Sequence, residues 1–162
     1  MPIISIIEGD ILLSEETCIV QQCNCNTIQS HGFSKAIANK YPWADVYKQR
    51  AAQSKNTAKN AGVPGTLQVV TKDNMTVICM FAQWAPGKPF AFSKYYPKGP
   101  APDSIEERKN WFTQCLVELD NLQLERVAMP HGIGCGLAGG IWSEYKELLN
   151  NAHTNIVLYK LS

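Results

Sequence analysis

Five glycines fall within the nine residues from Gly132 to Gly140, in the run Pro130-His131-Gly132-Ile133-Gly134-Cys135-Gly136-Leu137-Ala138-Gly139-Gly140. This run sits between an apolar strand-like segment and a helical pattern. Glycines there let bare backbone N–H groups approach an anion, and the positive end of the following helix adds to them, so the segment suits phosphate or pyrophosphate. Gly134, Gly136 and Gly139 satisfy a GxGxxG spacing. A nicotinamide-binding fingerprint is excluded by position, since it belongs to the first strand–helix turn and is followed about 20 residues later by an acidic residue. Here only one helix and one strand remain, and Asn155–Leu161 carries no Asp or Glu. A glycine-rich turn that serves close packing alone is the plain alternative.

A second loop, Asn24-Cys25-Asn26-Thr27-Ile28-Gln29-Ser30-His31-Gly32, follows an apolar run and again leads into a helix. Asn24 and Asn26 supply amide donors and acceptors suited to ribose hydroxyls, and His31 can carry a proton or act as a neutral hydrogen bonder. Turn formation is an equal use for each asparagine. The third element is Gly9-Asp10-Ile11 at the end of the first strand. A carboxylate at Asp10 can accept from an exocyclic amine, or can simply order its own turn.

The elements that must position these loops are short Val- and Ile-rich runs alternating with helical patterns. Ile3–Ile7, Cys18–Cys23, Leu67–Val70, Val77–Ala82, Val127–Pro130 and Ile156–Leu161 read as strands. Several are apolar at successive positions, which predicts coverage on both faces: an α/β fold, a three-layer α/β/α sandwich around a mixed, mostly parallel sheet. A helix is expected from Gly32 to Tyr41, stopped by Pro42, and a second over Ala44–Ser54. The clearest starts at Asp103 or Ser104, where Ser104 and Glu107 form a capping-box pair, and buries Phe112, Cys115, Leu116, Leu119 and Leu122. The last spans Ile141–Ala152, with Trp142, Tyr145, Leu148, Leu149 and Ala152 facing the core. In such a sheet, ligands sit outside the carboxyl ends of the strands, where all three loops emerge. The segment Trp84–Pro102 holds five prolines and three lysines with Trp84, Phe90, Phe92, Tyr95 and Tyr96. It reads as a surface excursion stitched down by its aromatics or as a lid over a ligand.

With 162 residues, 45% of them hydrophobic, the chain is expected to form one domain with a core of its own, residues 1–162 together. Its formal net charge of +1 excludes the strongly basic balance of duplex nucleic-acid binders. The uncharged stretch Asn74–Gly87 is too short and too polar to span a bilayer. Met1–Leu13 lacks a positive leader region and contains Glu8 and Asp10, so it reads as mature structure in a cytoplasmic or nuclear protein. The six cysteines lie mostly in apolar runs and read as buried thiols, and the three histidines are scattered, so no metal and no cofactor is expected. The expected partner is a small ligand rather than nucleic acid or membrane, and the expected state is a monomer.

These pieces, in this order, resemble the macrodomain family. The likeness runs from Ile7-Glu8-Gly9-Asp10-Ile11 through Cys23-Asn24-Cys25-Asn26 and Gly132–Leu137 to Ile156–Leu161. More narrowly it is similar to the small stand-alone macrodomains that include ADP-ribose-1''-phosphate phosphatases and the glycohydrolase that removes terminal ADP-ribose from protein glutamate. The resemblance implies ADP-ribose binding, with Asp10, beside Gly9 and Ile11, on the adenine amino group and Tyr159 and Leu161 near the ring. Asn26 with the Ser30-His31-Gly32 turn would meet the distal ribose, and Asn24 and Phe33 would be further ligand-binding residues. Pro130, Gly132, Ile133, Gly134, Cys135, Gly136, Leu137, Ala138 and Gly139 would surround the phosphates. The glutamate-directed glycohydrolase has a Lys where this chain has Gln83 and an Asp where it has Ala138, the phosphatase-like relatives have a His near Gln21, and a triple glycine reads here Ser30-His31-Gly32. The implied activity is hydrolysis at the distal ribose of an ADP-ribose derivative, a 1''-phosphate or an ester, with water held by Asn26 or His31. The alternatives are a non-catalytic ADP-ribose reader, or a pocket retuned for another nucleotide.

Overall fold

The second strand, β2 (Cys18–Asn24), and its neighbour β6 (Met75–Gln83) show how apolar runs build two cores from one sheet. Val20, Ile78 and Met80 face one layer, whereas Ile19, Val77, Cys79 and Phe81 face the other. The alternation follows from the two-residue period of a strand, and covering both faces lets every position be apolar. The computed structural model describes residues 2–54 and 56–161, with Ser93 by its backbone only.

Around this pair lie β1 (Ile3–Glu8), β5 (Leu67–Lys72), β7 (Arg126–Pro130) and β8 (Asn155–Lys160), in the order β1-β8-β7-β2-β6-β5. All neighbours run parallel except β5, which closes the edge as the antiparallel partner of β6. β3 (Ala52–Ser54) and β4 (Thr57–Ala58) form a separate small antiparallel pair. α2 (Ile105–Asn121) and α3 (Trp142–Asn150) pack on one face through Phe112, Leu119, Tyr145 and Leu149. α1 (Gly32–Lys40) covers the other face through Ile37. The result is the three-layer α/β/α sandwich with a mixed, mostly parallel sheet that the sequence predicts. All six cysteines are free and five are buried, as their apolar neighbours require.

Three local expectations change. No helix forms over residues 44–54: a single 3-10 turn at Pro42–Ala44 gives way to turns and β3, because Val46 and Tyr47 are drawn into the core while Gln49 and Lys48 bond locally. Leu122 is 41% exposed, since it ends α2 rather than lying on its apolar stripe. The edge strand β1 is not covered on both faces, with Ile4 and Ile6 about half exposed.

Helix α2 starts where the sequence places it. Ser104 Oγ accepts the Glu107 N–H at 3.0 Å, satisfying one of the orphan amides of the first turn. One turn on, Arg108 is 1% exposed and its guanidinium pairs with the Asp103 carboxylate through Nε–Oδ1 at 2.7 Å and Nη2–Oδ2 at 2.8 Å. Removing one member of such a pair leaves an unpaired buried charge. We therefore expect Arg108→Ala and Asp103→Ala each to destabilise the protein by about 3–5 kcal/mol in urea denaturation. The double variant should cost clearly less than the sum, because both deletions break the same contacts.

Candidate functional site

The parallel strands all deliver their carboxyl ends to one edge of the sheet, and the loops after β1, β2, β6 and β7 emerge there together. The ladder between β2 and β7 is reduced to Ile19 opposite Ala128. Beyond that pair the two strands carry Gln22 and Pro130 into the walls of one cleft. Sheet order places this opening where consecutive crossovers depart in opposite directions, the usual ligand position in an open α/β sheet.

The cleft has two lobes that share Phe33, Pro130 and His131. The first, about 500 Å³, is formed by Gly9, Asp10, Ile11, Leu12, Gly32, Ala36, Tyr159, Lys160 and Leu161 with the shared residues. The second, about 420 Å³, is formed by Gln22, Gln83, Gly132, Ile133, Gly134, Cys135, Gly136 and Ala138. A larger concavity of about 970 Å³ lies alongside, but its walls carry Asp10, Glu15, Glu16 and Glu125 against a single Arg126 already engaged by Glu16. An anion is repelled there, so the two-lobed cleft is the better candidate site.

Asp10 receives the Leu12 N–H at 2.9 Å and so caps the short turn Ile11–Leu13, while its exposure leaves the carboxylate open to the first lobe. Tyr159 is braced from behind: its hydroxyl donates to Glu16 Oε2 at 2.7 Å, and Arg126 holds the same carboxylate. Arg126 and Tyr159 hold the Glu16 carboxyl below its ordinary range, against the opposing effect of burial.

The glycine loop is built as a nest. Gly132, Gly134 and Gly136 take φ of 83°, 81° and 65°, a left-handed region open to glycine, with Ile133 and Cys135 between them. The amides of Ile133, Cys135, Gly139 and Gly140 turn back onto loop carbonyls. Among the described residues this leaves the N–H groups of Gly132 and Gly134 without a backbone partner, a pair of donors in the wall of the second lobe. Gly134 tolerates no added bulk, for a Cβ there would lie 2.3 Å from the Tyr145 ring. Burial pushes the Cys135 thiol up to about 11, so it is a neutral packing group here.

Beneath the nest, Gln22 Nε2 donates to Gln83 Oε1 at 2.8 Å, and Gln83 Nε2 donates to the Ala85 carbonyl at 3.1 Å. Gln22 Oε1 is buried without a partner. No carboxylate or ammonium lines this lobe. These two glutamines, His131 and Ala36 are wall residues that pattern reading missed. Gln22 and Gln83 look like interruptions of apolar strands, and only their place at strand ends marks them.

The loop after β2 is differently disposed. Asn24 is buried and its Oδ1 accepts the N–H groups of Asn26 and Thr27 at 3.0 and 2.9 Å, an Asx turn. Arg50 donates to the Asn24 and Thr27 carbonyls at 2.7 and 2.8 Å, fixing the loop from below. Asn26 is fully buried, with Nδ2 donating to the Trp84 carbonyl at 2.8 Å and Oδ1 unpartnered. His31 is exposed at the N-cap of α1 and makes no capping bond. Asn24, Asn26, Ser30, His31, Leu137 and Gly139 are not among the cleft walls, and Leu137 is 78% exposed. Among the described residues no group of three or more His, Cys, Asp or Glu is placed to hold a metal ion, and no helix is long and apolar enough to cross a membrane.

No family model matches the sequence, and no curated protein matches it. Solved structures do match. The macrodomain of Thermus aquaticus DarG superposes with a TM-score of 0.59 at 13% identity, covering 97% of this chain and 96% of that one. A macrodomain protein from Streptomyces coelicolor gives 0.58 at 22% identity, covering 96% and 97%. A mutant Oceanobacillus iheyensis macrodomain with ADPR gives 0.51 at 12% identity, covering 96% and 83%. The chain has the macrodomain fold.

His131 sits where the two lobes meet, its ring 4.6 Å from that of Trp142. Burial lowers its pKa, and Lys160 and Lys146 lower it further, so the imidazole is neutral at pH 7. A diphosphate at the nest favours the imidazolium, so protons and ligand bind cooperatively. Titrations with ADP should therefore give affinity that rises as pH falls from about 7.5 to 5.5, and His131→Gln should flatten that dependence.

Proposed function

We propose that this macrodomain-fold chain binds ADP-ribose in the two-lobed cleft. The observation that carries the reading is the glycine nest with its unpaired Gly132 and Gly134 amides, which forms one wall of a lobe floored by Gln22 and Gln83 and adjoins a lobe with an open carboxylate. The adenine occupies the first lobe with its amino group on Asp10 and its ring beside Tyr159. The diphosphate lies on the nest, and the distal ribose meets Gln22 and Gln83. A similar fold with ADPR in the Oceanobacillus iheyensis structure supports the assignment of ligand.

Binding without turnover is the form of this function that the geometry favours over hydrolysis at the distal ribose. General-base chemistry needs a group within hydrogen-bond reach of the attacking water. Among the second lobe's walls the one proton-accepting side chain is His131, which stands at the junction with the first lobe against Trp142 rather than at the Gln22 and Gln83 end, while His31 is exposed outside the lobe and Asn26 is buried away from its walls. A reader of ADP-ribosylated protein, or a protein that sequesters free ADP-ribose, needs only the cleft.

Calorimetric titration with ADP-ribose, with AMP and NAD as controls, tests the binding. We expect selective binding of ADP-ribose, weakened about 10- to 100-fold in Asp10→Ala through loss of one charge-assisted bond. Gly134→Val should abolish it, since the side chain meets Tyr145 and the positive φ is lost. Absence of binding to the wild-type protein overturns the proposal. Phosphate release from ADP-ribose-1''-phosphate by the same preparation would replace the reader with a hydrolase, and its dependence on His131 or on His31 would identify the base.

A further inference from the structure

The excursion that follows β6 encloses a separate cavity of about 610 Å³ whose chemistry differs from that of the cleft. Trp84, Phe90, Pro97 and Pro100 make its walls apolar, and Lys94 and Lys98 stand at its rim. The walls are held in place. The Trp84 indole donates Nε1–H to the Pro97 carbonyl at 2.7 Å and lies against Gly99, where a Cβ would come within 2.8 Å of the ring. Phe90 keeps a backbone φ of 62°, a strained value for an aromatic residue, and its ring is 53% exposed at the cavity.

Charge in this segment is one-sided. Residues 84–102 contain Lys88, Lys94 and Lys98 and no carboxylate, and all three lysines are exposed. The one carboxylate in the cavity wall, Asp103, is 6% exposed and fully engaged by Arg108 and by the N–H groups of Trp84 and Ala85, so its charge is balanced within the protein. The cavity also shares a frame with the second lobe. Trp84 follows Gln83 directly, and Lys88 and Pro89 pack against Gly139, with Lys88 Cγ 2.9 Å from where its Cβ would lie. Arg108 donates to both the Gly87 and the Ala138 carbonyls.

We propose that the cavity docks an acidic segment of the polypeptide that bears the ADP-ribose, with an apolar side chain among Trp84, Phe90 and the prolines and flanking carboxylates on Lys94 and Lys98. The inference rests on the ADP-ribose reading above and specifies which modified proteins that site selects. An apolar cup rimmed by two ammonium groups fits a mixed apolar and acidic peptide. A nucleic-acid strand needs a longer basic track with successive stacking platforms.

The test uses fluorescence anisotropy with a labelled peptide of aspartates, glutamates and leucines carrying ADP-ribose on one glutamate. Its companions are the unmodified peptide, the conjugate with amides in place of the free acids, ADP-ribose alone and oligothymidylate. The acidic conjugate should bind at least about tenfold more tightly than ADP-ribose, by adding a second contact to the first. Lys94→Glu/Lys98→Glu should abolish that excess and leave affinity for ADP-ribose unchanged. Equal affinity for conjugate and ADP-ribose overturns the proposal, as does an excess that survives the double variant or the neutral peptide. Tighter binding of oligothymidylate at the same lysines also overturns it. If ADP-ribose itself fails to bind, the functional reading falls and the unmodified peptide decides the cavity. Lysine-dependent binding of that peptide supports docking, and none overturns it.

Discussion

Arg108 places all five of its N–H donors on acceptors inside the protein, and the loops of the functional edge depend on that arrangement. Two bonds go to Asp103, and the others to the carbonyls of Ala85 and Gly87 and of Ala138. Asp103 in turn receives the N–H groups of Trp84 and Ala85 at 3.2 and 3.0 Å. A buried ion pair is poor evidence of net stabilisation, because desolvation offsets its attraction. Its use here is geometric: a planar fork with fixed directions joins the first turn of α2, the start of the excursion and the end of the glycine loop. An apolar pair of the same volume would fill the space without setting the angle of either loop.

That clamp also explains why the glycine loop can leave amides unpaired. An isolated nest would collapse onto its own carbonyls, since buried donors seek partners. Here Tyr145 fills the space under Gly134 and Gly140, and it is itself set edge-on against Phe112 at 4.8 Å. The loop is supported from the core and tied at Ala138, so the N–H groups of Gly132 and Gly134 are kept without backbone partners. Preorganised dipoles of this kind bind an anion with little rearrangement on arrival.

Much of this was legible in the sequence, and the parts that were not share a cause. The strands announce themselves because apolar residues at consecutive positions have few other uses, and Ser104 with Glu107 marks the start of α2 within a turn. The glycine loop is legible because alternating glycines permit alternating backbone conformations. The Arg108 network is not: its partners lie 5 to 30 residues away, and nothing local distinguishes Arg108 from a surface arginine. Gln22 and Gln83 are 61 residues apart and become a pair only when β2 and β6 align. The stretch 44–54 has helix-compatible composition, yet Tyr47 and Arg50 are committed to the loop after β2 and override it.

The cleft and its surroundings divide the work of recognition by charge. The second lobe is lined by no carboxylate or ammonium, His131 being its one titratable imidazole, so selection there rests on the spacing of amides and on the shape fixed by Gln22 and Gln83. Outside it, the acidic concavity around Glu15, Glu16 and Glu125 repels anions from one flank, while Lys88, Lys94 and Lys98 attract them on the other. A formal net charge of +1 for the whole chain conceals this polarity. The screening length in physiological salt is about 8 Å, so these exposed charges act over short range and steer a ligand only as it reaches the edge of the sheet. The backbone then decides what stays. Affinity for an anion held in the second lobe alone is accordingly less dependent on salt than any contact that reaches the lysines of the excursion.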